Sequence, residues 1–207
     1  ISFHEVDDWN NSVAAEKRVF MLDERHIRSL DGIEYFSITQ LSCSINQLTA
    51  LDVSKNTALT YLNCSSNQLT SLDLSNNTAL TQLDCTNNQL TALDLSNNTA
   101  LAQLKCSYNQ LTALDLSNNT ALTNLDCYNN QLTALDLSNN TALTYLNCSS
   151  NQLTSLDLSN NTALITLYCN IPSLKTLYLK KGHSINGITY NRSTVYINNN
   201  TEIVFVD

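Results

Sequence analysis

Hydrophobic and polar residues alternate in short segments along the chain, and the same kind of segment returns many times. In 59–64, for example, Leu62 and Cys64 alternate with Tyr61 and Asn63, which is the two-residue period of a β-strand with one buried and one exposed face. Further leucines follow each segment at wider intervals after a turn. The pattern therefore predicts many short strands, each followed by a turn and a return segment.

Seven cysteines mark the repeat. They are separated by the same interval of 21 residues, and the sequence around each one reads approximately LTxLxCxxNQLTxLDLSxNTA. Segment 59–79 is identical to segment 143–163, which indicates duplication within the gene or consensus engineering. The predicted structural ladder consists of Cys43, Cys64, Cys85, Cys106, Cys127, Cys148 and Cys169.

The period and the leucine spacing together predict a leucine-rich repeat. An LxxLxLxxN signature with a period of roughly 20 to 29 residues is typical of this solenoid, and cysteine takes its second strand position here. Asn67 lies at the turn, where a buried amide can bond to backbone groups of its own coil and the next. Because one coil cannot bury Leu69, Leu72 and Leu74 alone, the coils must stack about 4.8 Å apart. We expect a right-handed, horseshoe-like solenoid with a parallel sheet on its concave face. This fold formally belongs to the α/β superhelix class, but here it should consist mostly of short strands and turns.

The repeat register predicts one continuous structural domain with a cap at each end. Residues 1–37 form the N-terminal cap, with a short helix over 1–16 and a degenerate first coil in which Leu22 replaces cysteine. Residues 38–184 hold seven repeats of 21 residues, and residues 185–207 form a β cap, because open solenoid ends need covers. The hydrophobic residues expected in the caps are Trp9, Val13, Ala14 and Ala15 at the start, and Tyr190, Val195, Tyr196, Ile197, Ile203, Val204, Phe205 and Val206 at the end.

Composition and charge narrow the class of protein and partner. Of the 207 residues, 43% are hydrophobic and 14% are charged, which is a globular composition and excludes intrinsic disorder. The formal net charge of -8 and the lack of a basic cluster argue against nucleic acid and anionic membranes as partners. No apolar run approaches the roughly 18 residues of a membrane helix. Since the sequence starts at Ile1 without a signal-like segment, we expect a mature or trimmed fragment.

The cysteines are expected to be structural. Parallel side chains on neighbouring strands keep their Cβ atoms near the strand spacing of about 4.8 Å, beyond the mean of about 3.8 Å in disulfides, so we predict free, buried thiols. A straight column with one ligand per coil cannot surround zinc tetrahedrally. His4, His26 and His183 all lie outside the six regular coils, which leaves no base for a cysteine nucleophile. The sequence therefore predicts no enzyme, no metal site and no cofactor.

A second column consists of aspartates on the convex side, and it has two interpretations. The six carboxylates could together bind Ca²⁺, or each could accept hydrogen bonds from nearby Ser, Thr or backbone N–H groups. We favour the second interpretation, because calcium-binding repeats are rich in glycine and the regular coils contain none. The Asp column is Asp52, Asp73, Asp94, Asp115, Asp136 and Asp157.

Glycosylation signals point to the source of the chain. Five Asn-Asn-Thr sequences recur in register, and glycans cannot stack at a strand spacing of about 4.8 Å. A bacterial source therefore fits better than a eukaryotic secretory one. The signals begin at Asn76, Asn97, Asn118, Asn139 and Asn160.

The repeat unit resembles that of a known family. CxxNQLTxLDLSxNTAL is similar to the leucine-rich repeats of the bacterial internalin class, in particular the internalin J type with its cysteine ladder. The lead-in 26–36 and the exit 177–182 resemble those of bacterial surface relatives. The resemblance covers residues 19–184 and implies a secreted or cell-surface binding protein of a bacterium, with its signal or anchor outside this fragment.

The ligand surface is predicted on outward strand positions, where the coils differ most. Tyrosines interleave there with amides, hydroxyls and charges, a composition suited to a protein, peptide or glycan ligand. We interpret Lys105, between Asp84 and Asp126, as part of a cross-strand charge pairing. The third of three outward rows contains Ser44, Ser65, Thr86, Ser107, Tyr128, Ser149 and Asn170.

The sequence therefore predicts a monomeric binding module. The alternative function is a structural spacer or surface-display stalk that binds nothing specific. The predicted ligand residues on the concave face are Tyr61, Asn63, Asp84, Gln103, Lys105, Tyr108, Asp126, Tyr128, Tyr145 and Tyr168.

Overall fold

The computed structural model describes residues 18–182, the backbone of 195–197, and residues 200–207. The helix expected over residues 1–16 and the cap residue Tyr190 lie outside the described residues. Within the described part, strands and turns dominate, and helical structure is confined to a short 3-10 turn at Ile33–Tyr35. The chain is a solenoid of parallel strands, as the repeat pattern predicts.

One strand per coil builds the main parallel sheet. Its nine strands follow each other in chain order: β1 Val19–Met21, β2 Gln40–Ser42, β3 Tyr61–Asn63, β4 Gln82–Asp84, β5 Gln103–Lys105, β6 Asn124–Asp126, β7 Tyr145–Asn147, β9 Thr166–Cys169 and β11 Val195–Ile197. From β1 to β9, each residue pairs with the residue 21 positions away in the next coil. Equivalent side chains therefore form rows across the sheet, and the predicted leucine-rich repeat fold is confirmed.

A second sheet of three strands forms in the return segments near the C-terminus. It contains β8 Ser155–Asp157, β10 Thr176–Lys180 and β12 Glu202–Val206, in the order β12-β10-β8. The repeat pattern does not predict strand pairing by the return segment. In β10, Tyr178 stands opposite Asp157 of β8, and tyrosine favours a strand more than the aspartate that regular coils carry there.

Leucines and cysteines fill the interior of every regular coil. In the coil that contains Cys106, Leu104, Leu111 and Leu116 are fully buried with the cysteine. Burying one leucine contributes about 2 kcal/mol relative to leaving it exposed. Because this surface is covered only by neighbouring coils, the stability of each coil depends on its neighbours.

A buried asparagine three residues after each regular cysteine connects neighbouring coils. Asn67 donates hydrogen bonds from Nδ2 to the carbonyl oxygens of Cys43 and Cys64, each at 3.0 Å. Its Oδ1 accepts a bond from the Leu48 N–H at 3.0 Å. The bonds reach the preceding coil, so the expectation that they reach the next coil is wrong. The physical reason is that the turn of the preceding coil presents its carbonyl and N–H groups toward the coil that follows. The first Asn ladder comprises Asn46, Asn67, Asn88, Asn109, Asn130 and Asn151.

The second asparagine of each Asn-Asn-Thr sequence is buried and belongs to a second column of asparagines. Asn98 donates from Nδ2 to the carbonyl oxygens of Leu74 and Asn77, at 3.1 and 2.9 Å. The preceding residue, Asn97, is exposed and donates to the Ser75 carbonyl oxygen at 3.1 Å. Both amides of the pair therefore stabilise coil stacking. The second Asn ladder comprises Asn56, Asn77, Asn98, Asn119, Asn140 and Asn161.

Replacing a residue of the first Asn ladder should cost far more stability than replacing an exposed asparagine. Asn109→Ala leaves the Cys85 carbonyl and the Leu90 N–H without their side-chain partner in a buried turn. We expect the free energy of unfolding to fall by about 3 kcal/mol, because unsatisfied buried groups cost about 1–3 kcal/mol each. Urea denaturation of both variants measures the difference.

Asn118→Ala is the matched control. It removes one bond, to the Ser96 carbonyl oxygen, from a side chain that water can reach. We expect a loss of less than about 1 kcal/mol. Equal losses in the two variants would show that the buried ladder does not stabilise the stack.

Candidate functional site

The outward side chains of β2–β7 and β9, with the turn residues that directly follow these strands, form one surface, which we call the concave face. The strand register aligns Lys105 with Asp84 on one side and Asp126 on the other. Eight of the ten predicted ligand residues lie in these strands, while Tyr108 and Tyr128 lie just beyond β5 and β6. The structure therefore places the predicted ligand residues on one face of the solenoid.

Several serines of the outward rows are buried. Ser107 is 4% exposed, and its hydroxyl donates a hydrogen bond to the Asp126 carboxylate at 2.6 Å. Ser42 and Ser44 are also buried, and both hydroxyls donate to Asp23. The outward exposure predicted for Ser44, Ser107 and Ser149 is therefore wrong, because a small hydroxyl can turn toward a neighbouring carboxylate or backbone group beneath larger side chains.

Four of the five predicted tyrosines form two contacting pairs. The rings of Tyr108 and Tyr128 meet edge to face, with centroids 5.1 Å apart and planes at 77°. Those of Tyr145 and Tyr168 are 5.9 Å apart and tilted by 51°. Tyr61 lies in β3, separated from Tyr145 in β7 by three intervening strands. The structure thus brings together aromatic groups from four successive coils and leaves Tyr61 apart.

Tyr108 owes its position to an unusual backbone conformation. Its φ is 53°, in the left-handed region that non-glycine residues rarely adopt, and the same conformation recurs at this position in the neighbouring coils. The turn therefore projects the residue away from the strand, and Tyr108 is 49% exposed. Asparagine tolerates this conformation and occupies the position at Asn87 and Asn129, which is the sequence signal for it in a repeat without glycine.

The charges on the concave face are unevenly paired. Lys105 Nζ lies 3.9 Å from Asp84 Oδ2, so the predicted cross-strand pairing forms with Asp84. An exposed pair of this kind contributes less than about 1 kcal/mol. The Oδ1 atom of Asp126 accepts hydrogen bonds from the Ser107 hydroxyl and the Tyr128 N–H, at 2.6 and 3.2 Å. Among the described residues, Asp126 has no cationic partner.

The negative charge of Asp126 reaches the tyrosine pairs. Partial burial raises the pKa of Tyr145, and the charges of Asp126 and Tyr168 act in the same direction. The hydrogen bond with Tyr128 is the main cause of a raised pKa at Tyr108, to which Asp126 also contributes. These hydroxyls therefore remain protonated at neutral pH.

Each carboxylate of the Asp column caps a turn in its own coil. Asp94 Oδ1 accepts a hydrogen bond from the Ser96 N–H at 2.9 Å, and the same contact recurs in all six positions. The bonds to Ser96 hold the pKa of Asp94 below its ordinary value. These contacts agree with the interpretation that each aspartate accepts hydrogen bonds from nearby serine and backbone groups. In the described part of the chain, no three or more His, Cys, Asp or Glu side chains are grouped to hold a metal ion.

The cysteine column is buried and reduced. All seven thiols are free, which confirms the predicted ladder. Burial raises the pKa of Cys43 and of Cys169 to about 12, and it raises the pKa of Cys64 and Cys106 well above the ordinary value. A thiol that stays protonated is a poor nucleophile and a poor metal ligand. The column therefore acts through packing.

Within residues 18–182 and 200–207, no helical segment has the length and hydrophobicity needed to cross a bilayer.

Comparison with known proteins agrees with the repeat geometry. The sequence profile for leucine-rich repeats (two copies) matches residues 57–98. The functional domain of InlJ from Listeria monocytogenes, which includes a cysteine ladder, is 40% identical, with a TM-score of 0.73 over 80% of this chain and 40% of that one. The chain is a leucine-rich repeat solenoid similar to the internalins. Among curated protein sequences, none is significantly similar to it.

Two further structures share the fold of this internalin-like protein. A leucine-rich repeat protein of Leptospira interrogans is 20% identical, with a TM-score of 0.64, over 84% of this chain and 50% of that one. Internalin C2 from Listeria monocytogenes is 21% identical, with a TM-score of 0.58, over 100% of this chain and 84% of that one. The chain spans about two fifths of the InlJ functional domain.

Alkaline pH should destabilise the protein through the cysteine ladder. The folded thiols have a pKa raised above the ordinary value of 9.0, to about 12 for Cys43 and Cys169, so the unfolded chain loses its thiol protons first as the pH rises. The contribution of each protonated thiol to the free energy of unfolding is complete below pH 9.0 and decreases between pH 9.0 and about 12. The decrease is about 1.4 kcal/mol per pH unit for each thiol.

Urea denaturation with reductant, at about pH 8 and about pH 10, measures this dependence. Cys106→Ala is the control for other groups that titrate in the same range, because it should remove one thiol's share of the slope. A slope that does not change with the number of cysteines would contradict the assignment.

The buried thiols should also react slowly with thiol reagents. We expect little labelling of the native protein within the time that fully labels a free thiol, because all seven side chains are inaccessible. In the denatured protein, all seven thiols should react with the reagent without prior reduction. Rapid native labelling, or a lower count after denaturation, would contradict the ladder of free cysteines.

Proposed function

We propose that the concave face binds a protein, peptide or glycan ligand on the outside of a bacterial cell. The internalin-like scaffold supports a binding role, since such repeats present an extended surface of side chains on stacked strands. The bacterial relatives of this fold support a location at the surface or in the medium. The concave face is the surface on which tyrosines accumulate.

The single observation that carries this proposal is where the repeats differ. The five units from residue 59 to residue 163 vary at only six of their 21 positions. Four of the six are the three outward strand rows and the turn position of Tyr108. The differences between coils are therefore concentrated on one face of the solenoid.

Random drift on an exposed surface does not account for this pattern. The return segment also exposes side chains, and among the five units these vary only by an exchange of serine and alanine at one position, that of Ser71 and Ala92. If solvent exposure alone permitted change, the other exposed positions would have changed as well. In the coil that contains Cys106, the exposed invariant positions are Gln110, Thr112, Asp115, Ser117, Asn118, Thr120 and Ala121.

The residues introduced on the variable face favour recognition. Tyrosine supplies a large, rigid contact area with one polar group, and interfaces draw most of their affinity from a few such residues. In the five units from residue 59 to residue 163, Tyr108 and Tyr128 interrupt rows that otherwise hold serine, threonine and asparagine. The two pairs of tyrosines are therefore the expected centre of the interface.

Returning two tyrosines to the residues of other coils should weaken binding without unfolding the protein. Tyr108→Asn restores the residue found at Asn87 and Asn129, and Tyr128→Ser restores that of Ser65. Each change should raise Kd about fivefold or more, because loss of a central aromatic residue costs at least about 1 kcal/mol. Ligands taken from a random peptide display library and a glycan array provide the binding measurement.

Asp94→Asn and Asp115→Asn, in the Asp column, are the controls and should leave the affinity unchanged. Thermal unfolding of each variant verifies that the fold is retained. If neither the library nor the array yields a ligand, the spacer function is correct. If every retained ligand binds the tyrosine variants as tightly as the original chain, binding takes place elsewhere and the tyrosine pairs are not the centre of the interface.

A further inference from the structure

Two contacting pairs of tyrosines, from four successive coils, share the concave face with one carboxylate. Tyr108 contacts Tyr128, and Tyr145 contacts Tyr168. Asp126 is in β6, which lies between β5, the strand before Tyr108, and β7, the strand of Tyr145. Asp126 is two residues before Tyr128, and its strand β6 pairs with β7, in which Tyr145 is the first residue. The negative charge of Asp126 acts on both Tyr108 and Tyr145. We call these five residues the Tyr–Asp cluster.

The carboxylate of this cluster is fixed in place but not neutralised. Both of its bonds, from the Ser107 hydroxyl and the Tyr128 N–H, end on Oδ1. Oδ2 accepts no hydrogen bond from any described residue, and Lys105 makes its ion pair with Asp84 instead. Asp126 is half-buried, so its charge is partly removed from water without a cation to compensate it.

We propose that the Tyr–Asp cluster binds a cationic side chain, arginine or lysine, of a protein or peptide ligand. This inference rests on the proposed function and identifies the chemistry of its ligand. Aromatic faces attract a cation within about 6 Å of the ring, and a carboxylate adds direct charge attraction. The cluster offers both kinds of group on the same small surface.

Electrostatics favours a cationic ligand over an anionic or a neutral one. The chain carries a formal net charge of -8, which opposes an anionic partner and favours the approach of a cationic one. A neutral glycan can stack on tyrosine but gains nothing from an uncompensated carboxylate beyond a hydrogen bond. The free Oδ2 of Asp126 therefore favours a charged side chain over a neutral sugar.

A pair of probes that differ only in charge tests the proposal. The intact chain is titrated with a short oligoarginine peptide and with the oligocitrulline peptide of the same length, which has nearly the same shape and no charge. Asp126→Asn keeps the Oδ1 acceptor for Ser107 and Tyr128, so the fold should be retained. Asp136→Asn, in the same coil but in the Asp column, changes the net charge equally and is the matched control.

We expect saturable binding of oligoarginine, no binding of oligocitrulline, and a weaker interaction at higher salt. Asp126→Asn should raise Kd about fivefold, as should Tyr145→Gln, which introduces the residue of Gln82. Asp136→Asn should leave Kd within about twofold, because its charge is on the other side of the coil. Equal binding of the two peptides, or equal effects of the two aspartate variants, would overturn the proposal.

Failure of this proposal and failure of the proposed function give different results. In one outcome, ligands from the library or the array bind the concave face through Tyr108 and Tyr128. These ligands are not enriched in arginine and lysine, however, and their affinity does not change in Asp126→Asn. The cationic ligand is then wrong and the binding function stands. If no ligand and no oligoarginine binds the concave face, both are wrong.

Discussion

Stacking of nearly identical coils is the constraint on which the rest of the structure depends. A turn that carries no regular hydrogen bonds leaves carbonyl and N–H groups without backbone partners, and such groups cannot be buried without compensation. The two Asn ladders supply these partners from the neighbouring coil, as Asn67 does for Cys43 and Leu48. Each coil is therefore completed by the next, in hydrogen bonds as well as in hydrophobic contacts.

This constraint divides the surface into fixed and variable parts. The return segment carries Asp94, which caps its turn, and Asn97, which bonds to the coil before it, so exposed residues there still have structural roles. The central outward row also caps turns, as Asp126 does for the Tyr128 N–H, but asparagine, aspartate and Lys105 all occur in that row. The strand itself is held by its backbone and by the buried leucines. Side chains on the concave face can therefore change with little effect on the fold, and this freedom makes the surface suitable for recognition.

Much of the architecture could be predicted from the sequence, because a parallel stack with a constant period permits only one register. The strand positions, the buried cysteines and the alignment of Lys105 with Asp84 all follow from that period. Other features depend on conformations that residue type alone does not reveal. Asn98 looks like part of a surface signal but is buried, Ser107 turns toward Asp126, and Tyr108 adopts a left-handed conformation without glycine. The contacts between tyrosines could not be predicted either, since they join different rows of neighbouring coils.

The identity of segments 59–79 and 143–163 has a consequence for how such a protein can change over generations. Recombination between the two copies would delete residues 59–142 and join Ala58 to Leu143, and the sequence on both sides of the junction would be unchanged. Every ladder would continue across the junction, because the incoming coil is the same as the one removed. The deletion would remove Tyr108, Asp126 and Tyr128 together. A single event could therefore shorten the solenoid and alter its recognition surface without introducing a new contact between coils.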